Sequence, residues 1–348
     1  MTGMMKAVVK TAPEPGAIEL RMVPIPQIGP RDVLVKVKAA AVCGTDIHIR
    51  QWNPWAQARV QTPVVLGHEL AGEVVEVGSE VMSVKVGDRV SCETHLACHT
   101  CEVCREGNGH VCPNTKLVAV HQGLDGCFAE YMALPEELVF VCTNPDVPWE
   151  QLALMEPFGA AVHAVMDVPL STKSVAIIGA GPLGQMGMLA AKTAGAAKVI
   201  VLEPNPERAA QVKKMGADLV IDPINEDPVA AVKAATNGYG VHVAIDFSGN
   251  MAGLQAAMKY LRPEGQLTCV ALPKQPIPVD VASFGYRGCS VRGIAGRRLF
   301  DNWEQMRGLL ERGIDLSPIV SHQLPLEEFE KAMDMTERGE CIKCVLIP

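Results

Sequence analysis

Between Ala7 and about Val141 apolar and polar residues alternate in short runs such as DVLVKVKAAAV, GEVVEVG and DRVSCET, punctuated by Gly and Pro. A period of two broken by turn residues predicts half-buried strands, so this stretch reads as mainly β. From Ser174 the texture changes. SVAIIG is followed by a helix from Leu183 to about Thr193, then KVIVLE, a helix through ERAAQVKKMG, DLVIDP and VHVAIDFSG. The region from Met251 to Leu272 repeats the unit with the helix MAGLQAAMKYL and the strand QLTCVAL; after GCSVRGI come further helices and a final short strand, KCVLIP. Such alternation predicts parallel strands joined by crossover helices, with a ligand crevice at their carboxyl ends. The fold class is α/β, a mainly β part joined to a doubly wound part.

A chain of 348 residues exceeds what one hydrophobic core usually organises, which predicts two domains. With 48% hydrophobic and 20% charged residues both can be packed. A net charge of -8 leaves no basic excess to neutralise phosphates, and aromatic residues at 4% are too few for a stacking surface, so a nucleic-acid partner is excluded. No run of about 18 apolar residues predicts a membrane span, and the first residues lack a signal-peptide pattern. A cytoplasmic location is expected, and the twelve cysteines are read as reduced thiols.

Four of those thiols carry chemistry. Cys98, Cys101, Cys104 and Cys112 are spaced C-x2-C-x2-C-x7-C, and four soft thiolates closing on one ion make a structural zinc site with no open position. Cys43 in CGTDIH, with His68 and Glu69 in GHELAG, mixes sulfur, nitrogen and oxygen, and a three-ligand set leaves a place for water or substrate. GAGPLG sets Gly179, Gly181 and Gly184 at G-x-G-x-x-G straight after a strand, with Pro182 and Leu183 opening the next helix. Strand and helix are the context this dinucleotide motif requires. Glu203 ends the second strand, where a carboxylate accepts from both ribose hydroxyls of NAD and repels the 2′-phosphate of NADP; Arg208 follows as a further cofactor candidate.

Taken in order, CGTDIH, GHELAGEVVEVG, the cysteine set and GAGPLG resemble the zinc-containing medium-chain dehydrogenases over essentially the whole chain. That resemblance implies a GroES-like, mainly β catalytic domain over residues 1–155 and 295–348, with a structural zinc lobe at about 92–114, and a Rossmann NAD-binding domain over 156–294. It also implies two zinc ions per chain, one catalytic and one structural, and a homotetramer. Glu156 in MEPFGAAVH matches a carboxylate that replaces a zinc cysteine in the polyol branch. Whether Glu69 or Glu156 binds the ion directly stays open. Thr45 and His48 match the hydroxyl and histidine that relay the alcohol proton, and Asp46 matches a carboxylate that orients the histidine ligand.

CGTDIHIRQWNPWAQ, ETHLAC, HVCPNTK, EPFGAAVH and DLSPIVSH resemble the branch of the family that oxidises L-threonine to 2-amino-3-oxobutyrate. His95 resembles a substrate-side residue there, and Arg297 or Arg298 either meets a substrate carboxylate or lies on the surface. Ala160 stands where that branch usually carries an Asn, which keeps open a 2,3-butanediol- or sorbitol-type polyol substrate. A non-catalytic NAD- and zinc-binding protein of the same fold is the third reading.

Overall fold

The alternating run DVLVKVKAAAV forms the strand Asp32–Ala41, which pairs antiparallel with three others: Glu69–Val77, Tyr131–Pro135 and Lys343–Ile347. Its neighbours are drawn from nearly the full length of the chain. The computed structural model describes residues 3–348 and divides the chain into two compact units. One runs to Pro157 and resumes at Leu316–Pro348; the other is Phe158–Asp315.

In the first unit a seven-stranded sheet has the order Val139–Val141, Arg89–Cys92, Glu69–Val77, Asp32–Ala41, Lys343–Ile347, Val320–Pro325, with Tyr131–Pro135 paired from the side. A three-stranded sheet centres on Met4–Lys10, between Ile18–Pro24 and Val64–Val65. Val35, Leu70, Val90, Phe128 and Leu346 belong to its main apolar core. The Asp32–Ala41 strand is polar only where it reaches water, at Lys36 and partly at Asp32 and Lys38. This is the alternation of a covered sheet.

The second unit holds a six-stranded sheet, all parallel, in the order Leu219–Ile221, Lys198–Leu202, Ser174–Ile178, Val241–Asp246, Leu261–Cys269, Ser290–Gly293. The chain runs outward from Ser174–Ile178 in one direction, then returns to lay down the remaining strands on its other side. The switch point therefore falls between Ser174–Ile178 and Val241–Asp246, the place where a doubly wound sheet opens its crevice. The helices expected here lie at Pro182–Thr193, Pro206–Lys214 and Met251–Tyr260. Among the described residues no helix is long and apolar enough to cross a membrane.

Three expectations are corrected. The return to the first unit, expected at residue 295, falls at Leu316. The reason is packing: a Cβ on Gly159 would meet Arg297 Cδ at 2.5 Å and Met306 Cε at 3.3 Å, so the stretch carrying Arg297 and the helix Asp301–Glu311 is built onto the helix that contains Gly159. The strand expected to run through DRVSCET stops at Cys92, because the Glu93 carboxylate takes the N–H groups of Thr94 and His95 and turns the chain. A helix, Gly44–Gln51, interrupts the β-rich half. Its N-cap is Cys43, outside the usual capping residues, and Asp46 supplies the closure by accepting the Cys43 N–H at 2.9 Å.

Between Val65 and Glu69 the chain turns through Gly67, whose φ is +86° and whose missing Cβ would lie 2.2 Å from the Phe128 ring. No L side chain suits that position. We expect Gly67→Ala to lower stability by about 2–4 kcal/mol in urea unfolding, with part of the loss falling on His68 next to it; a loss below about 0.5 kcal/mol would contradict the packing described.

Candidate active site

Sheet register builds the site. Ala41 pairs with Glu69, so Cys43, two residues past the strand end, is brought beside His68 and Glu69 across the ladder. One ligand atom from each of Cys43, His68 and Glu69 lies within 4.8 Å of the others. A third strand closes the arrangement. Val345 pairs with Ala41, and two residues earlier Lys343 sends its buried ammonium to Glu69 Oε1 at 2.6 Å and to the Val42 carbonyl at 2.8 Å. Glu69 is fully buried, and its second oxygen, Oε2, has no hydrogen-bond partner. A buried carboxylate oxygen without a donor is costly unless a cation meets it.

The electrostatics point the same way. Burial disfavours the His68 imidazolium, yet the Asp46 carboxylate, the Cys43 sulfur and Glu156 push its pKa up to about 10. Burial, with Glu156 as a like-charged neighbour, raises Glu69 against the pull of Lys343, and burial also raises Asp46. For Lys343, burial is outweighed by Glu69, Cys43 and Glu156, which raise it. Four acidic groups thus face one lysine and one imidazole, a field that favours a further positive charge. Sulfur, imidazole and carboxylate donors together fit zinc better than magnesium or calcium.

Other candidate residues surround this cluster. Asp46 Oδ1 faces His68 Nδ1 at 3.7 Å. Thr45 Oγ1 lies 3.7 Å from Cys43 Sγ, and His48, one turn further along the helix, is exposed. Glu156 is buried at the start of the helix Met155–Met166 and accepts the Thr94 hydroxyl at 3.0 Å. His95 Nδ1 stands 3.2 Å from that same hydroxyl and 2.8 Å from Glu93 Oε1. Arg297, by contrast, is buried over Trp303, and Arg298 reaches the Asp167 carboxylate at 3.6 Å. Lys343 and Glu93 were not singled out from sequence. The available signals were a lone lysine inside the apolar run KCVLIP and an acidic residue directly after an apolar strand.

The four lobe cysteines also converge, their sulfurs within 4.8 Å of one another, with Cys98 and Cys112 at 3.5 Å and Cys101 and Cys112 at 3.9 Å. Backbone and hydroxyl donors of Thr100 hold the Cys98 thiol down to about 5, whereas partial desolvation and the neighbouring Cys101 and Cys112 thiols push Cys104 up to about 12. Neither the Glu102–Arg105 helix nor the Gly109–Val111 turn buries a residue. With no apolar core of its own, this lobe needs the ion as its core.

In the second unit, the crevice at the switch point has a volume of about 460 Å³ and is lined by Gly179, Gly181, Glu203, Arg208, Ser248 and Asn250, among others. Gly179 has φ +88°, and a Cβ on Gly184 would lie 1.9 Å from the Gly179 carbonyl oxygen, so the turn closes only with glycine there. A Cβ on Gly181 would meet nothing, leaving open space before the helix that begins at Pro182 and Leu183. That is room for a pyrophosphate at a helix N-terminus. Glu203 is buried; Oε2 accepts the Ala180 N–H at 2.6 Å and Oε1 the Asn205 N–H at 2.8 Å. Each oxygen keeps a lone pair for a further donor.

Two outcomes follow. Lys343→Met strands the buried Glu69 charge and should cost about 3 kcal/mol or more in urea unfolding; a cost below about 1 kcal/mol would mean that the pair does not hold the site. Atomic emission should count two zinc ions per chain, and one in either Cys43→Ser or Cys101→Ser. Only the second variant should make residues 98–112 protease-sensitive; an undiminished count in either would remove that residue from its ligand set.

Comparison with known proteins places the chain in a family. Residues 29–144 match the alcohol dehydrogenase GroES-like domain and residues 182–312 the zinc-binding dehydrogenase domain. An L-threonine 3-dehydrogenase of Caldanaerobacter subterraneus subsp. tengcongensis is 44% identical over 351 aligned positions, covering 100% of both chains. Among solved structures, a protein of Sinorhizobium meliloti 1021 described as a zinc-binding dehydrogenase and bound to NADP matches with a TM-score of 0.90 at 27% identity, covering 99% of this chain and 100% of the other. The 2R,3R-butanediol dehydrogenase of Bacillus subtilis matches with a TM-score of 0.88 at 28% identity, covering 99% of each. Mixed-donor cluster, cysteine lobe and glycine turn thus occur together in a chain that belongs to the zinc-containing medium-chain dehydrogenase family.

Proposed function

We propose that the chain oxidises L-threonine at its β-hydroxyl to 2-amino-3-oxobutyrate with NAD as hydride acceptor. The observation that carries this is the cluster of half-buried Cys43 with buried His68 and Glu69, and its unsatisfied Glu69 Oε2, in a chain 44% identical throughout to an L-threonine 3-dehydrogenase. When bound, zinc acidifies the substrate hydroxyl and the dinucleotide takes the hydride. Cys43 and His68 are the ligands in this reading, with Glu69 and Glu156 as the carboxylates that complete or exchange in the set. Thr45 takes the hydroxyl proton and His48, three residues on and so on the same helix face, passes it to solvent. His95 faces the substrate.

For the coenzyme the argument rests on Glu203, because a buried carboxylate at the ribose end of the crevice repels a 2′-phosphate; Arg208 stands beside it as a ribose contact. Gly179, Gly181, Pro182, Leu183 and Gly184 hold the pyrophosphate. Twelve free cysteines, four of them at metal spacing, suit the reducing cytoplasm. The strand Ser290–Gly293 is an exposed sheet edge, and exposed Val281 and Tyr286 lie on the helix that precedes it in the chain, a surface suited to pairing with a second copy in a homotetramer.

Ala160 supports the second reading, a 2,3-butanediol- or sorbitol-type dehydrogenase, since it supplies no amide to a polar substrate or cofactor. Coenzyme reduction with L-threonine, 2,3-butanediol and sorbitol, each with NAD and NADP, separates the readings. Threonine with NAD should give the highest kcat/KM. Butanediol turnover far above threonine turnover would reject the first reading, and equal use of NADP would reject the role given to Glu203.

A further inference from the structure

Glu93 is only 1% exposed, yet three nitrogens converge on one of its oxygens: the backbone N–H of Thr94, the backbone N–H of His95 and the ring Nδ1 of His95, each at 2.8 Å. Thr94 adds a constraint of its own. Its hydroxyl donates its single proton to Glu156 Oε1 at 3.0 Å, so toward His95 Nδ1, 3.2 Å away, it presents only a lone pair. Both neighbours of Nδ1 are therefore acceptors. Nδ1 must carry a proton, and in the neutral form of the ring the lone pair then falls on Nε2.

The His95 side chain is 23% exposed while Glu93 is sealed behind it, so the ring is anchored at one nitrogen and open at the other. Through Thr94 the Nδ1 side of the ring is also tied to Glu156, whose charge acts on His68 and Lys343 of the candidate ligand cluster.

We propose that Glu93 is a positioning residue that fixes His95 as its Nδ1–H tautomer, so that Nε2 accepts a hydrogen bond from an ammonium next to the carbinol carbon of the substrate. This rests on His95 facing an alcohol substrate. A fixed acceptor favours an amino alcohol over the same skeleton without nitrogen, because an analogue lacking the donor makes no hydrogen bond to Nε2. Loss of the anchor frees the ring to rotate or change tautomer, and the preference falls with it.

Two measurements on the full chain test this. In the wild type with 15N-labelled histidine, NMR should show His95 Nδ1 protonated and Nε2 as the pyridine-type nitrogen; the opposite tautomer overturns the proposal whatever the substrate proves to be. In kinetics, Glu93→Ala should lower the kcat/KM ratio of L-threonine over 3-hydroxybutyrate, its counterpart without the ammonium, by about tenfold or more, and Glu93→Gln, which keeps an acceptor oxygen, should restore most of it. An equal loss on both substrates, or no rescue by Glu93→Gln, overturns the proposal in favour of a purely structural role. If Glu93→Ala does not fold, the wild-type tautomer and the Glu93→Gln ratio still decide it. A wild type inactive on L-threonine refutes the proposed function, and the tautomer alone then decides the role of Glu93.

Discussion

An ammonium and a carboxylate meet at 2.6 Å with almost no access to water, Lys343 on one strand and Glu69 on another, with the end of the Asp32–Ala41 strand between them. Removing two charges from water is expensive, and such a pair persists only when the geometry is good and the remaining donors and acceptors are satisfied. Lys343 uses a second of its three donors on the Val42 carbonyl, whereas Glu69 Oε2 is left over. The pair holds three strand ends together and leaves one oxygen unspent beside a thiol and an imidazole. Much of the site follows from that asymmetry.

Charge at the site is distributed rather than matched. Cys43, Asp46, Glu69 and Glu156 act on a single imidazole and a single ammonium, which is why His68 is held so far above its ordinary range despite burial. The cysteine lobe solves a different problem. It holds neither a lysine nor an apolar core of its own, and its backbone donors favour thiolate at Cys98 while partial desolvation and neighbouring thiols oppose it at Cys104. One site sets its donors at strand ends where His68 and Glu69 are buried, whereas the other uses donors to hold a loop whose two helical turns bury nothing. Both draw on cysteine, but only the first also offers nitrogen and oxygen donors.

Much of this was legible in the chain. The change of period near Ser174, the cysteine spacing and the glycine turn each have a local cause, and each was found within a few residues of its expected place. What escaped has a non-local cause. Lys343 belongs to the site only because its strand pairs with Asp32–Ala41, a register that no local pattern encodes. The helix at Gly44 hides behind an unusual capping residue, and Glu93 ends a strand that its own alternation would have continued. The second domain boundary moved for a similar reason: the stretch around Arg297 is committed by packing onto Gly159, more than a hundred residues away in sequence.

Lys343 follows Glu69 by 274 residues, and the whole of the Phe158–Asp315 unit lies between them in the chain. A ribosome thus delivers Cys43, His68 and Glu69 long before it delivers their counter-charge. During that interval Glu69 lacks the ammonium that makes its burial tolerable, and the Asp32–Ala41 strand has one flank unpaired. The order of synthesis therefore makes a finished metal site a late event, completed after the entire dinucleotide-binding unit has emerged.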